Sequence, residues 1–494
     1  MNSIKKNYIF NTSYQILLLI IPLITTPYIA RVLGADLVGK YSYQYTIASY
    51  FVTFIMLGLE NYGNRAIAEN KTSNENLKQV FSSIFFLQFF SGIIMTAIYI
   101  IYATFMASNK LLSAIFIINV IGASFNVSWL LYGLEKFKEI SVGTAIIKIL
   151  STCSIFLLVR TKENFVAYCI IMVISTFITN AYMMIIAVRK VGLIIPKSNQ
   201  VFSHFVPNAK LFLTVISVTM CKTIDKLMLG IFDPTKVELG YYELSERIVN
   251  IPMILVVSIG TVMMPRITYI ISQKEEGEEK LTLYSIFFSA LIVSSMTFGI
   301  MAVSPEFVML YYGKGYEPCV LLYIILLPAS IFMAFANVIR TQILLPRHMD
   351  GKVILSGYLA LGINVITNTI LIPKYGANGA AVATVFAEIV CCIVQSYSVK
   401  KIVSLSIYIR VFMSQVCIGL IMMAAIFWIT NLQLPLFVGM VIKIMLGFLI
   451  YMILLFLYML IVSRYGNERE QDLIRWLLAK IQPYKRKIKS VFGK

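Results

Sequence analysis

Charge is scarce in this chain. Of its 494 residues only 13% are Asp, Glu, Lys or Arg while 59% are hydrophobic, and the mean hydropathy is +0.83. A soluble domain carries about 25% charged residues, so a water-soluble globular protein is excluded. Histidine is nearly absent, with only His204 and His348, which leaves histidine zinc sites and serine–histidine triads without material. The seven cysteines, Cys153, Cys169, Cys221, Cys319, Cys391, Cys392 and Cys417, are odd in number, fall mostly in apolar stretches and show no metal-ligand spacing. They read as small core residues, and no metal or cofactor is called for. Long polar loops are lacking too: the longest, residues 60–79, could not fold as a nucleotide-binding or catalytic domain. With no GxxxxGK[ST] phosphate loop either, ATP hydrolysis in this chain is not expected to drive any process.

Apolar blocks, each about as long as a helix needs to cross the hydrocarbon core, are abundant. A hydropathy window places fourteen of them at 8–30, 41–59, 80–102, 111–132, 141–159, 165–188, 205–231, 241–264, 281–303, 320–345, 353–372, 379–399, 409–430 and 437–462. The short alternating strands of a membrane barrel are not seen, so an all-α polytopic membrane protein with about fourteen transmembrane helices is expected. The first block follows Lys5 and Lys6 but ends in TTPYIARVLG, without a small-residue cleavage site, and reads as a retained span.

The net charge of +19, from 42 Lys and Arg against 23 Asp and Glu, would suggest nucleic acid in a soluble protein. Position gives another reading. Alternate loops and the two ends hold 27 of the basic residues, the opposite loops hold 8, and 7 lie inside the blocks. The rich side is cytoplasmic by the positive-inside rule, which puts both termini inside the cell (plasma or inner) membrane, as an even span count requires. No nucleic acid is needed to account for the charge.

A weak repeat emerges when VGKYSYQYTI (38–47) is laid on LGYYELSERI (239–248), matching Gly39, Tyr41 and Ile47 to Gly240, Tyr242 and Ile248. A second match sets LLVRTKENFVA (157–167) on LIPKYGANGAA (371–381). Six spans separate the copies, so the halves share one orientation about an axis along the membrane normal. The expected domains are a six-helix bundle over 1–200, a second over 201–402, two added helices over 403–463 and a basic tail over 464–494. In the tail, Glu468 to Gln482 forms a candidate amphipathic helix with Leu473, Trp476, Leu477 and Ile481 on one side, followed by PYKRKIKS. Such a segment is expected to lie among anionic lipids of the cytoplasmic face.

Setting aside Arg410 at the very edge of the thirteenth, eleven charges fall within the blocks: Lys148, Lys210, Lys222, Lys226, Arg247, Arg340 and Lys443, with Asp225, Glu243, Glu246 and Glu388. Each costs roughly 2.5–3.5 kcal/mol at a helix centre, so these groups must pair, snorkel or line a wet cavity. In the seventh block Lys210, Thr214, Ser217, Cys221 and Asp225 share one helical face, a polar stripe about 22 Å long. It reads as a substrate-facing stripe or as a helix seam holding one ion pair, with Lys222 able to reach Asp225 and Lys226 pointing elsewhere. Glu243 and Arg247 form a favourable i, i+4 pair. Lys443, a turn inside its block, reads as snorkelling, which also competes for Arg340. Lys148 and Glu388 have no opposite charge at helical spacing. Gln88, Asn126 and Trp129 are possible sugar contacts, against the commoner reading of interhelical hydrogen bonds. Pro22, Pro27, Pro252 and Pro328 could serve as hinges.

Three segments, PYIARVLGADLVGKYSYQYTIASYF (27–51), TIDKLMLGIF (223–232) and especially LIPKYGANGAAVATVFAE (371–388), resemble the Wzx-type polysaccharide repeat-unit flippases. Their superfamily also holds the multidrug and toxin extrusion (MATE) pumps and the lipid II flippases. The resemblance implies a MATE-like fold of two six-helix bundles plus two helices. It also implies a non-enzymatic flippase that moves a polyprenyl-pyrophosphate-linked oligosaccharide to the outer leaflet by alternating access, for a capsule- or O-antigen-like polymer. On that reading Lys148, Lys210, Lys222 and Arg340 form a cationic cavity for pyrophosphate, and Asp225 and Glu388 tune or couple the cycle. A polymerase and glycosyltransferases of the same pathway are the expected partners. The basic residue early in the first span that lipid II flippases use has no counterpart before Arg31. A drug–cation antiporter of the same fold is the alternative, and should show an acid-dominated cavity. A membrane polymerase or ligase would need larger outer loops than these.

Overall fold

The computed structural model describes residues 2–71, 73–273, 277–429 and 435–476, and among these it is helical with no strand. Two compact units divide the chain, Met1–Glu243 and Leu244–Lys494. All fourteen apolar blocks fall on helix. Among the described residues ten helices are long and apolar enough by themselves to cross a membrane, or eleven spans if the bent pair at the N-terminus is counted as one.

The first unit begins with α1 (Asn2–Leu33) and α2 (Ala35–Met56), which meet at Gly34. Gly34 adopts φ 85°, a left-handed value that glycine reaches without a Cβ clash, and the chain turns there by 118°. A second break at Leu57 and Gly58 leads into α3 (Leu59–Asn70), an amphipathic helix that buries Leu59, Gly63, Ala66 and Ile67. The next helix, α4 (Asn74–Phe105), starts with Ser73 accepting from the Asn76 backbone N–H, and α5 (Lys110–Ala123) starts with Asn109 accepting from Leu112. These side chains satisfy backbone donors that a helix N-terminus leaves over. The fourth apolar block is interrupted at 124–127 before α6 (Ser128–Gly133). Three longer helices follow, α7 (Phe137–Leu158), α8 (Phe165–Val191) and α10 (Phe205–Phe232), with the short α9 (Ser198–Ser203) before α10. The core between them gathers Phe81, Ile84, Phe85, Trp129 and Leu130 around Ile67 and Leu59.

Helix α3 is fastened to the start of α10 at two points. The Gly58 N–H donates to Asn208 Oδ1 at 2.9 Å, and Tyr62 Oη lies 2.6 Å from His204 Nδ1. Burial holds the His204 imidazole below its ordinary pKa, which favours the neutral ring this contact uses.

The second unit takes most of α11 (Val237–Gln273), whose first turns belong to the first unit. Its centre is α12 (Glu278–Tyr311), packed against α13 (Pro318–Ile339) and α15 (Leu405–Ile429). After α13 the chain tightens into a π-turn, Arg340–Leu344, and a 3₁₀ turn, Leu345–Arg347. One long helix, α14 (Asp350–Val399), holds both the eleventh and twelfth blocks and is broken at Gly376 (φ 54°, ψ −131°), three residues after Pro373. The four prolines offered as hinges lie inside helices that continue past them. The chain's breaks fall instead at Gly34, Leu57, 124–127 and Gly376, where a left-handed φ or a loss of helix coincides with small or polar residues.

The two added helices are tied to α12. Gly419 of α15 lies against Ser294 and Phe298, and Ser294 donates to the Gln415 carbonyl. The last long helix, α16 (Leu436–Tyr465), reaches α12 through Lys443, whose Nζ sits 2.6 Å from Glu306 Oε1 with both side chains largely buried. Lys443 therefore does not snorkel. Its partner lies on another helix, where helical spacing along one segment could not show it.

The tail departs from expectation as well. Residues 468–476 are helical, and Leu473 and Ile474 are buried. Trp476 stacks on Tyr284 of α12 at 4.5 Å, and Arg469 pairs with Glu279. The apolar side of this stretch is covered by protein, because α12 presents aromatic rings and acids to it. Leu477, Ile481 and the PYKRKIKS segment lie outside the described residues.

Candidate functional site

In the first unit, α7 carries Lys148 half-buried, and its carbonyl accepts from Ser151 and Thr152. On α10 the expected stripe divides. Ser217 and Asp225 are buried at 1% and 3% exposure, Cys221 is half-buried, and Lys210 and Lys222 are exposed. The Thr214 side chain lies outside the described residues. Asp225 accepts from Tyr242 Oη at 3.1 Å, so the phenol holds the carboxylate that sequence spacing had offered to Lys222.

Lys226, which the sequence places off the stripe, pairs with an acid on another helix. Its Nζ lies 2.7 Å from Glu243 Oε2, and the same oxygen accepts from Ser42 Oγ at 2.9 Å. Glu243 thus turns to α10 and α2, contacts between helices that an i, i+4 rule does not reach.

Gln88, Asn126 and Trp129 come together as a structural corner. Gln88 and Trp129 are both wholly buried. The indole N–H donates to Gln88 Oε1 at 3.1 Å, and Gln88 Nε2 donates to the carbonyls of Ala123 and Asn126 at 2.8 and 3.0 Å. Those two carbonyls lie at the break between α5 and α6, and that of Ala123 also accepts from the Asn126 N–H at 3.1 Å. The Asn126 side chain caps the Ser128 N–H at 3.2 Å. Neither Gln88 nor Trp129 offers a surface to a sugar, so for them the interhelical reading replaces the sugar-contact one.

The second unit holds Arg340 and Glu388. Arg340 opens the π-turn and is half-buried, as is Glu388 on the second half of α14. Cys391 stands one turn beyond Glu388 on the same helix. Nearby, Gln395 donates to Ser356 Oγ at 3.0 Å and to Cys391 Sγ at 3.3 Å. Further along α14, Asn368 Nδ2 donates to Asn364 Oδ1 at 2.9 Å, both amides buried. These groups escaped a search made for charge, although Asn364 and Asn368 at i, i+4 in an apolar helix are a visible signal. Among the described residues no group of three or more His, Cys, Asp or Glu could hold a metal ion.

The structure therefore sorts the basic residues of the apolar helices. Lys226 and Lys443 are committed to ion pairs inside the protein. Lys210 and Lys222 stand exposed on one helix, and Lys148 and Arg340 are half-buried. Exposed ammonium groups on a membrane helix can hold an anion, and at about 4 Å such an attraction grows from about 1 kcal/mol in water to about 4 kcal/mol at an effective dielectric of 20.

Comparison with known proteins bears on what that anion is. Residues 4–271 match the family model described as polysaccharide biosynthesis protein. A protein of Escherichia coli (strain K12) designated an O-antigen transporter is 22% identical over 395 residues, which cover 77% of this chain and 94% of that protein. Among solved structures, the lipid II flippase MurJ in an inward closed conformation superposes with a TM-score of 0.74 at 18% identity, covering 91% of this chain and 98% of MurJ. A multidrug resistance MATE family transporter in an inward-facing conformation gives a TM-score of 0.57 at 14% identity, over 83% and 96% of the two chains. The fold is thus MATE-like.

Proposed function

This chain belongs to the polysaccharide biosynthesis protein family, and starting there we propose that it is a flippase for a polyprenyl-pyrophosphate-linked oligosaccharide repeat unit. It is a multi-pass membrane protein that carries its cargo from the cytoplasmic to the outer leaflet of the cell membrane by alternating access, with both termini cytoplasmic. It makes or breaks no covalent bond. The O-antigen transporter designation of its E. coli relative and the MurJ fold support the substrate class.

The observation that carries the reading is the exposure of Lys210 and Lys222 on α10 while other bases of the apolar helices are held in internal pairs. Two ammonium groups left open in an apolar helix are expensive, and a pyrophosphate offsets that cost only while it is bound. Lys148 and Arg340 extend the cationic surface, and Asp225 and Glu388 tune it. The polymer made after export is of capsule or O-antigen type, and the polymerase and glycosyltransferases of that pathway are the partners. The basic end of the tail rests on anionic lipid.

The test is surface polymer in cells carrying Lys210→Gln with Lys222→Gln. Export is expected to be lost while the amount of protein in the membrane stays unchanged. Undiminished polymer at the surface would sink the assignment of these lysines.

A further inference from the structure

The side of the membrane that is poor in bases holds only eight, and four of them gather at one corner of the first unit. Arg31 lies in the last turn of α1, Lys40 in the second turn of α2, and Arg160 and Lys162 in the loop between α7 and α8. The structure brings these stretches of chain together. Tyr28 Oη donates to the Val159 carbonyl at 2.8 Å, which ties the loop to α1. Asn164 Oδ1 accepts from the N–H groups of Arg160 and Thr161 at 3.1 and 3.0 Å, which fixes the course of the loop itself. Where α1 turns into α2, a Cβ on Gly34 would stand 3.3 Å from Lys162 Nζ and 3.1 Å from Asp36 Oδ1. The other four bases of that side, Lys110, Lys236, Lys314 and Lys374, fall one to a loop.

Helix ends account for only part of this corner. The helix dipole favours Arg31 at the end of α1 and Arg160 just past α7, where Arg160 Nε donates to the Leu157 carbonyl at 3.1 Å. It gives no help to Lys40 and Lys162, which lie by the start of α2. Lys40 is answered by Asp36 at 3.8 Å, with both side chains more than a third exposed. Among the described residues Arg160 and Lys162 are in no ion pair. Nor does the fold call for the corner. In the register of the sequence repeat, Arg31, Lys40 and Lys162 correspond to Phe232, Tyr241 and Gly376, and Arg160 alone keeps a basic counterpart, Lys374. A feature that packing required would recur in both halves.

We propose that this corner is a second pyrophosphate site, which receives the headgroup of the lipid-linked oligosaccharide in the outer leaflet. The proposal rests on the flippase reading above and on the topology that puts the end of α1 outside. Four bases against Asp36 and Glu163 leave a net charge of +2. That is equal and opposite to the charge of a pyrophosphate esterified at both ends, whereas a common phospholipid headgroup carries a single negative charge or none. Arg31, Arg160 and Lys162 are exposed, so each attraction is modest, about 1 kcal/mol at 4 Å in water. Salt screens it further beyond about 8 Å at physiological ionic strength. Such strength suits a site that must let its lipid go.

The experiment places a photo-reactive benzophenone amino acid at Leu158, an exposed residue at the end of α7, in the full chain purified into phosphatidylcholine nanodiscs. The probe is radiolabelled farnesyl-pyrophosphoryl-N-acetylglucosamine. Illumination is expected to cross-link it several-fold above the same group placed at Leu449, an exposed position on α16. Arg160→Gln with Lys162→Gln should remove most of that excess, and Lys210→Gln with Lys222→Gln should leave it in place. Cross-linking no greater than at Leu449, or an excess indifferent to Arg160→Gln with Lys162→Gln, would overturn the site. So would an excess lost with Lys210→Gln and Lys222→Gln, or a labelled phosphatidylglycerol captured equally well. None of these readings needs transport. If the cross-link behaves as expected while the protein moves no lipid-linked oligosaccharide in liposomes, the pyrophosphate site stands and the flippase reading falls. Transport without a base-dependent cross-link removes the site and leaves the flippase.

Discussion

Gln88 and Lys210 look alike in the sequence, each a polar group inside an apolar helix, and they end in opposite circumstances. Gln88 is sealed in, with its amide oxygen and nitrogen engaged by Trp129 and by two carbonyls at a helix break. Gln88→Ala strands the indole donor, takes one donor from each carbonyl and opens a cavity, so a loss of about 3–5 kcal/mol is expected. The midpoint of thermal unfolding in detergent reads this directly, and a Gln88 that served only as a sugar contact would leave it unmoved. Lys210 stands exposed, and its removal should leave that midpoint nearly unchanged. Sequence marks both residues as out of place in lipid, because the cost of a polar group in hydrocarbon without a partner follows from its type. Which remedy each finds depends on a partner 41 positions away for Gln88 and Trp129, beyond the reach of any helical spacing.

At the scale of elements, most of the helices were legible because the hydrocarbon core fixes their length. The breaks within them were not. Proline in α1, α11 and α13 passes without ending the helix, since neighbouring helices can satisfy the freed backbone groups. Gly376, in a non-helical conformation, breaks α14 between the eleventh and twelfth blocks. Cross-helix charges were the other hidden feature. Lys443 sits where snorkelling is usual, but Glu306, 137 positions earlier, meets it inside the second unit. Lys443→Met alone leaves Glu306 buried without its counter-charge and should destabilise the protein by about 3–5 kcal/mol, whereas Lys443→Met with Glu306→Leu should be close to neutral. Unfolding midpoints of the two single variants and the double variant, read as a cycle, separate this pair from a snorkelling lysine, for which the effects would add.

For the whole molecule, three identities in ten residues suggest a parallel repeat, and the fold is MATE-like. The match to the polysaccharide biosynthesis protein family places the chain in the making of a polysaccharide. Net charge said little about cargo, because 27 of the 42 bases lie in the loops and ends that set topology. The informative bases are Lys210 and Lys222, which stand exposed on α10. The central claim is tested most directly by reconstituting the purified chain in liposomes with a labelled polyprenyl-pyrophosphate oligosaccharide. The measurement is how fast the sugar becomes protected from, or accessible to, an impermeant modifying reagent. Transfer well above protein-free liposomes, abolished by Lys210→Gln with Lys222→Gln, is the expected result. Transfer no faster than in protein-free liposomes, with and without a proton or sodium gradient, would contradict it.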